Sequence, residues 1–267
     1  MTSPAIEQYP RVYGSAAAFP AFTYKEAAEA LHAGVTEPLV GAVSPRKIQL
    51  CPQNRGHLTT RVALQLAGDF PETEFRLHAN VQVAERRGIY DASTYGKSEF
   101  IQHFKAVRTL CQALESPVYT LHAGSQQNCT LRQMIDNVRW LQDSMPDTTV
   151  GVEGLYPLPA KPQLMDTWDA YQAVYDAGIC VALDLSHLNL LPNRPDRDSI
   201  VRDWLRRPQT VEIHISDNDG SRDQHRLLNA ATPPWWWPLL NDSLPHLPYT
   251  TTIFSESNQR ENACSPR

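Results

Sequence analysis

No stretch of this 267-residue chain approaches the roughly 18 consecutive apolar residues that a membrane-spanning helix needs, and its N-terminal segment lacks the apolar h-region of a secretory signal. Those absences exclude a helical membrane protein and make a soluble, cytoplasmic protein the expectation. Cysteine is sparse and scattered: Cys51, Cys111, Cys129, Cys180 and Cys264 form no CxxC pair and no even-numbered framework. Reduced thiols are expected, not disulfides. Positive charge is short as well. Lys and Arg number 24 against 29 Asp and Glu, a net charge of −5, and no basic stripe of the kind that grips a phosphate backbone is evident. Internal repeats, low-complexity tracts and domain linkers are absent, which leaves one domain over residues 1–267.

What the chain does have is alternation. It is 42% hydrophobic and long enough for one large α/β domain with a substantial core. Runs rich in Val, Ile, Leu, Tyr and Thr recur every 25 to 40 residues, at Val12–Ala18, Lys47–Cys51, Glu74–Ala79, Pro117–Ala123, Thr149–Gly154, Cys180–Leu185, Thr210–Ser216 and Thr250–Ser255. They read mostly as continuous apolar runs, the pattern of parallel strands covered on both faces. Between them the apolar residues step by three and four. Phe100, Ile101, Phe104, Val107, Leu110, Cys111 and Leu114 mark a helix in Lys97–Glu115. Leu131, Met134, Ile135, Val138, Leu141 and Met145 mark another behind Thr130, a candidate N-cap. Tyr171, Val174 and Tyr175 predict a helix ended by Gly178, and Ile200, Val201, Trp204 and Leu205 one begun near Asp196–Asp198. Eight strand candidates alternating with helices predict a (β/α)8 TIM barrel over a doubly wound sheet.

Two segments fit that pattern poorly. The prolines of Thr232–Pro238 argue against an ordinary helix across Trp235-Trp236-Trp237. Eleven residues follow Glu256, too few for a normal closing helix, so the last helix should be atypical or missing. The Met1–Arg11 arm, or a partner subunit in a homo-oligomer, would then cover the gap.

Nine side chains able to bind a metal fall at or just past the ends of the apolar runs: His78, His122, Glu153, Asp184, His187, His214, Asp223, His225 and Glu256. In a (β/α)8 barrel those ends converge at the C-terminal mouth. Imidazole nitrogen and carboxylate oxygen suit zinc, manganese and iron(II). Glu153, Asp184, His214 and Glu256 suffice for one divalent ion, and the full set supplies two or three. Asp223 and His225, two residues apart, point the same way if their loop is extended. A single His at a strand end is more often a hydrogen-bonded rim residue than a ligand, but nine in register with strand ends are hard to obtain by chance. His32, His57, His103 and His246 fall on predicted helices or loops and are expected to be structural or exposed. Setting aside the four carboxylates of the set leaves a charge of about −1, so the net charge is weak evidence against DNA.

The order His, His, Glu, Asp-x-x-His, His, Asp-x-His, Glu from Phe75 to Glu256, and above all HISDNDGSRDQH from His214 to His225, resembles the xylose isomerase-like TIM-barrel superfamily. That group contains sugar isomerases and epimerases and also the endonuclease IV class (AP endonuclease family 2) of abasic-site nucleases. The resemblance implies that Glu153, Asp184, His214 and Glu256 match a single-metal epimerase site, with His187 touching substrate. It also implies that all nine positions match the trinuclear zinc set of the nucleases. Departures fall in loops: His122-Ala123-Gly124 replaces a His-Pro-Gly turn, Gly154-Leu155-Tyr156-Pro157 a Thr-Ala-Gly loop, and Leu227-Leu228-Asn229-Ala230 a Gly-x-Gly turn.

The first expectation is a metal-dependent isomerase or epimerase acting on a small hydroxylated substrate. Glu153 and Glu256 would exchange a proton across it, with His187 orienting a substrate oxygen. The alternatives are phosphodiester hydrolysis at abasic DNA by a multinuclear zinc site, and a multinuclear iron enzyme that oxidises a peptide. Binding of an oxyanion by a degenerate, non-enzymatic site is a further reading. Arg222 is a candidate for a substrate carboxylate or phosphate, or for an ion pair with a ligand carboxylate. Trp235–Trp237 reads either as a lid or subunit interface, or as an aromatic wall over the mouth.

Overall fold

The computed structural model describes residues 12–83, 89–94, 98–158 and 160–260. Eight parallel strands close into a barrel: β1 (Val12–Ser15), β3 (Gly41–Leu50), β4 (Glu74–His78), β5 (Val118–His122), β6 (Thr149–Glu153), β7 (Cys180–Asp184), β8 (Thr210–Ile215) and β9 (Thr252–Ser255). They follow one another in chain order, and β1 closes the ring by pairing with both β9 and β3. Each strand expected from the apolar runs is present. An added strand, β2 (Val35–Glu37), pairs antiparallel with the first part of β3; three residues are too few for a periodic signal.

The strand interior differs from expectation. In β8, Val211, Ile213 and Ile215 alternate with Thr210, Glu212 and His214, and all six are buried. Gln49 of β3, Arg76 of β4 and Thr120 of β5 all reach Glu212, although none of these strands neighbours β8. They can meet only through the barrel interior. The strands are therefore covered on both faces, but apolar side chains pack outward against helices while the inward face is largely polar.

The helices form where the apolar stripes and caps place them. Thr23 and Glu26 make a capping box at α1 (Tyr24–Ala33), and Thr59 caps α2 (Thr60–Asp69). The expected helix in 97–115 is described from α3 (Ser98–Ala113) onward; Lys97 lies outside the described residues. Thr130 and Gln133 box the start of α4 (Leu131–Ser144), and Thr167 caps α5 (Trp168–Asp176). A single turn, α6 (Leu185–Leu188), follows β7 and is capped by Asp184. Asp196 precedes α7 (Arg197–Arg206) but makes no side-chain cap.

The tryptophan segment corrects the expectation. α8 (Trp237–Ser243) begins inside it, with Pro238 in the first turn. There the missing N–H is no loss and the fixed φ favours helix, so a proline starts this helix where it would have broken an interior. Trp236 is buried in the core, and Trp235 lies under the Arg197 guanidinium at 4.1 Å and donates to Asn189 Oδ1. The described chain ends at Arg260, so both Met1–Arg11 and the segment of the expected last helix lie outside it. Cys51, Cys111, Cys129 and Cys180 are free thiols, and Cys264 lies outside the described residues. Among the described residues no helix is long and apolar enough to cross a membrane.

Candidate metal centre

Parallel strands in one barrel end on one rim, and here that rim carries the nine side chains. His78, His122, Glu153 and Asp184 are the last residues of β4, β5, β6 and β7, and His214 is the penultimate residue of β8. His187 comes from the α6 turn, Glu256 follows β9 directly, and Asp223 and His225 stand on the loop between β8 and α8. The structure brings all nine into one continuous cluster.

Glu153 is its centre. Its Oε2 lies 3.2 Å from His78 Nε2 and 3.1 Å from His122 Nε2, and its Oε1 3.2 Å from His214 Nδ1 and 3.7 Å from His187 Nδ1. From there His187 Nε2 approaches Asp184 Oδ2 at 3.5 Å and Asp223 Oδ2 at 3.6 Å, and Asp223 Oδ2 meets His225 Nε2 at 2.9 Å. Glu256 closes the circuit, 3.7 Å from His214 Nδ1 and 3.8 Å from His225 Nδ1. Donor atoms of His78, His122 and Glu153 lie within 4.8 Å of one another, as do those of Glu153, Asp184 and His187, and those of Asp184, His214 and Glu256.

Outer contacts turn the rings inward. His78 Nδ1 lies 2.8 Å from Thr120 Oγ1, His187 Nδ1 3.0 Å from the Gly154 carbonyl, and His225 Nδ1 3.1 Å from the Glu256 carbonyl. A carbonyl can only accept, so Nδ1 of His187 and of His225 each carries a proton, and Nε2 is the nitrogen turned to the carboxylates. Metal-binding imidazoles are oriented by this kind of contact. Gly154 serves His187 through its lack of a side chain: a Cβ there would collide with Cζ and the hydroxyl of Tyr171. The loop bearing Asp223 and His225 is not extended as expected. His225 has φ of +46°, a left-handed conformation disfavoured for a side chain with a Cβ, and this turn brings its ring back to Asp223.

The electrostatics show a site with more negative charge than its own cations balance. Burial raises the Glu153 carboxyl, but His78, His122 and His214 outweigh it and hold the group well below the ordinary carboxylate range. Burial pushes Asp184 up, with only part of that offset by His187. Burial opposes protonation of His187, yet Asp184, Asp223 and Glu153 raise it to about 10; His225 rises to about 9 against burial because of Asp223 and Glu256. His214 is raised well above the imidazole range by Glu256, Glu153 and Glu212, again against burial. Without a cation the cluster gathers protons.

A divalent cation fits these residues. Glu153 Oε2 and Asp223 Oδ1 are buried and, among the described residues, have no hydrogen-bond partner; Glu153 Oε2 faces two imidazole nitrogens out of line for a hydrogen bond. Buried anionic oxygens that accept no hydrogen bond are costly until something positive lies against them. His122 is the most exposed of the nine, its side chain 34% accessible, and marks the side open to solvent. A cavity of about 350 Å³ adjoins Asp223, lined by Arg222, Gln224 and Arg226.

Sequence reasoning missed the layer beneath. Glu212, Gln49, Arg76 and Thr120 are buried and converge on one another below the nine. The available signal was a glutamate two residues before His214, on the same face of a strand. The departure at Leu227–Ala230 is also partly structural: Leu228 is buried, and its N–H donates to Glu37 Oε2 at 3.2 Å. His103 is buried against Tyr90, and His57 and His246 are exposed, so these remain apart from the cluster.

No protein-family model and no curated protein sequence matches this chain. Solved structures do resemble it. An AP endonuclease of family 2 from Brucella melitensis is similar with a TM-score of 0.62 and 18% identity, over 93% of each chain. An L-ribulose 3-epimerase superposes with a TM-score of 0.64 and 14% identity, covering 94% of this chain and 82% of that one. The IolI protein with a bound zinc atom gives a TM-score of 0.62 and 12% identity, over 95% and 91% of the two chains. With a closed parallel barrel and likenesses to both branches, this chain has the fold of the xylose isomerase-like TIM barrels.

Proposed function

We propose that this protein is a multinuclear, divalent-metal-dependent hydrolase of phosphate esters, with zinc or manganese held by the nine-residue cluster. The observation that carries this reading is the position of Glu153, whose Oε2 faces Nε2 of both His78 and His122 while its Oε1 faces Nδ1 of His214. That is the placement of a carboxylate shared between ions. A carboxylate so shared would be a poorer proton shuttle than the epimerase expectation requires of Glu153. Glu153 with His78 and His122 would hold one cation; Glu153 with Asp184, His214 and Glu256 would hold a second; and His187, Asp223 and His225 a third.

Two or three such cations, when bound, supply a nucleophile at neutral pH and neutralise the attacking and leaving oxygens of an in-line displacement at phosphorus. The chain's own residues do the rest. Arg222 and Arg226 at the cavity beside Asp223 would take the substrate's anionic oxygens, the guanidinium fork matching a phosphate bidentately. Tyr156, half-buried with its ring 5.0 Å from His187, has its phenol raised by burial and by the Asp223, Asp184 and Glu153 charges. It therefore stays protonated and can donate to a phosphate oxygen. Glu256 Oε1 receives one long hydrogen bond, 3.5 Å from Ser15 Oγ, which leaves it the carboxylate best placed to accept the proton of the attacking water. Water adds to phosphorus, the bond to the leaving alcohol breaks, and the proton passes to that alcohol.

A second reading keeps one observation in its favour. Glu153 and Glu256 flank the same atom, His214 Nδ1, at 3.2 and 3.7 Å, the arrangement expected of two carboxylates exchanging a proton across one substrate carbon. Elemental analysis with three assays separates the readings: hydrolysis of bis(4-nitrophenyl) phosphate, nicking of an abasic duplex, and epimerisation of ketoses. The hydrolase reading expects two to three zinc or manganese ions per chain and chelator-sensitive ester hydrolysis. One ion per chain with ketose epimerisation and no hydrolysis would overturn it. Several irons with oxygen-dependent absorbance changes would instead assign the site to oxidation.

A further inference from the structure

One layer below the cluster the barrel interior holds a carboxylate, Glu212, whose side chain has no exposure to solvent. Its Oε1 pairs with Arg76 Nη1 at 3.2 Å, and Arg76 in turn pairs with Glu74 at 2.7 Å. Its Oε2 accepts from Thr120 Oγ1 at 3.1 Å and from Gln49 Nε2 at 3.0 Å, and lies 3.3 Å from His214 Nε2. A charge buried this deeply is costly unless paired and hydrogen-bonded on all sides, and here Arg76 supplies the pair. Four strands contribute to the arrangement, so it exists only in the closed barrel.

The proton positions follow by elimination. The Thr120 hydroxyl has one hydrogen and gives it to Glu212, so toward His78 Nδ1, 2.8 Å away, its oxygen can only accept. His78 is then protonated on Nδ1, which leaves Nε2, 3.2 Å from Glu153 Oε2, as the nitrogen turned to the cluster. His214 presents the opposite nitrogen. Its Nε2 points down to Glu212, and its Nδ1 up to Glu153 and Glu256. With Nδ1 committed to a cation, Nε2 would carry the proton and Glu212 would accept it. The Gln49 amide nitrogen, which donates to Glu212 Oε2 at 3.0 Å and lies 2.8 Å from the same Nε2, would then have to turn away from that ring.

We infer that Glu212 is a positioning residue that sets the tautomers of two metal-facing histidines at once, His214 directly and His78 through Thr120. It thereby ties the His78–His122–Glu153 donor set to the Asp184–His214–Glu256 set. One buried carboxylate serving two sets makes their affinities depend on each other. The inference rests on the metal reading of the cluster but not on the reaction catalysed there.

The test is Glu212→Gln, with Thr120→Val as a milder second variant that cuts only the His78 branch. Histidine tautomers are read from ¹⁵N chemical shifts of the zinc-loaded and zinc-free proteins, and zinc affinity from competition with a chromophoric chelator. Zinc-loaded wild type should show His78 protonated on Nδ1 and His214 on Nε2. E212Q should disturb both rings and weaken zinc by roughly 10- to 100-fold in two donor sets, the range found when an outer-shell partner is lost. T120V should disturb His78 alone and weaken one set. If E212Q misfolds, T120V carries the decision. Wild-type tautomers and zinc affinity within about twofold in a folded variant would overturn the assignment. Absence of zinc binding by wild type would sink the metal reading, while the proton on His78 Nδ1 in the zinc-free protein would still decide the Thr120 branch of the role assigned to Glu212.

Discussion

Glu153→Gln separates a bridging carboxylate from a catalytic base, because the two roles fail differently. A base that also binds one ion loses turnover when its charge is removed but keeps its metal. A bridge loses metal. Glu153 is buried and contacts four imidazoles from 3.1 to 3.7 Å, so the amide would turn an NH2 group toward rings selected to face an anion. Removing one partner from a buried ionic cluster costs about 3–5 kcal/mol. At about 1.4 kcal/mol per decade, that is roughly a 100- to 4,000-fold loss of cation affinity. Since Glu153 faces His78 and His122 with one oxygen and His214 with the other, the loss should reach both of those ions, and the His187–Asp223–His225 set should retain most of its ion. The assay is metal content by mass spectrometry after desalting, with a competition titration for each ion. Full stoichiometry in a folded, inactive variant would refute the bridge and return Glu153 to the role of base.

Gly154→Ala should strain the β6 end against Tyr171, whose ring is buried and stacked on Trp204, and displace the carbonyl that orients His187. Overpacking of this kind costs about 1–3 kcal/mol. For a domain of this size that is a fall in Tm of roughly 2–12 °C, and pairing it with Tyr171→Leu should recover part of the loss. An unchanged melting temperature in the single variant would contradict the close packing. In metal-free protein, His187 and His225 are raised to about 10 and 9, above the ordinary imidazole value, so their contribution to stability is complete below about pH 6.5 and disappears as pH climbs through 9 and 10. Thermal melts of chelator-treated protein across that range should fall, and a rise with pH would reverse the assignment. Zinc addition near pH 7 should release protons in weakly buffered solution, because those rings must be bare to bind. Chelation of loaded protein should lower its Tm through loss of bound-state stabilisation, and an equal Tm with and without chelator would count against a resident ion.

The eight-strand alternation was legible because a parallel strand's apolar outward residues and a helix's three- and four-residue steps are local properties. The same locality located the nine side chains: His78, His122, Glu153 and Asp184 end their strands where the apolar runs stop. The helix at Trp237–Ser243 was hidden by its own prolines, since one residue type breaks a helix in its interior and favours it in the first turn. Glu212 was hidden for another reason. A glutamate inside a strand reads as a half-exposed polar position until something shows what the strand faces.

The order of chemistry-bearing residues along the chain, and their fall at strand ends, belonged to the sequence alone. Which of them touch belonged to barrel closure. Tertiary structure decided that Glu153 stands among four imidazoles, that His225 returns to Asp223 through a left-handed turn, and that Arg76, Thr120 and Gln49 converge on Glu212 from strands that are not its neighbours. The reason is geometric. Periodicity reports which face of its own element a side chain occupies, whereas contacts across a barrel depend on strand number, order and register together, and no short window of sequence contains those.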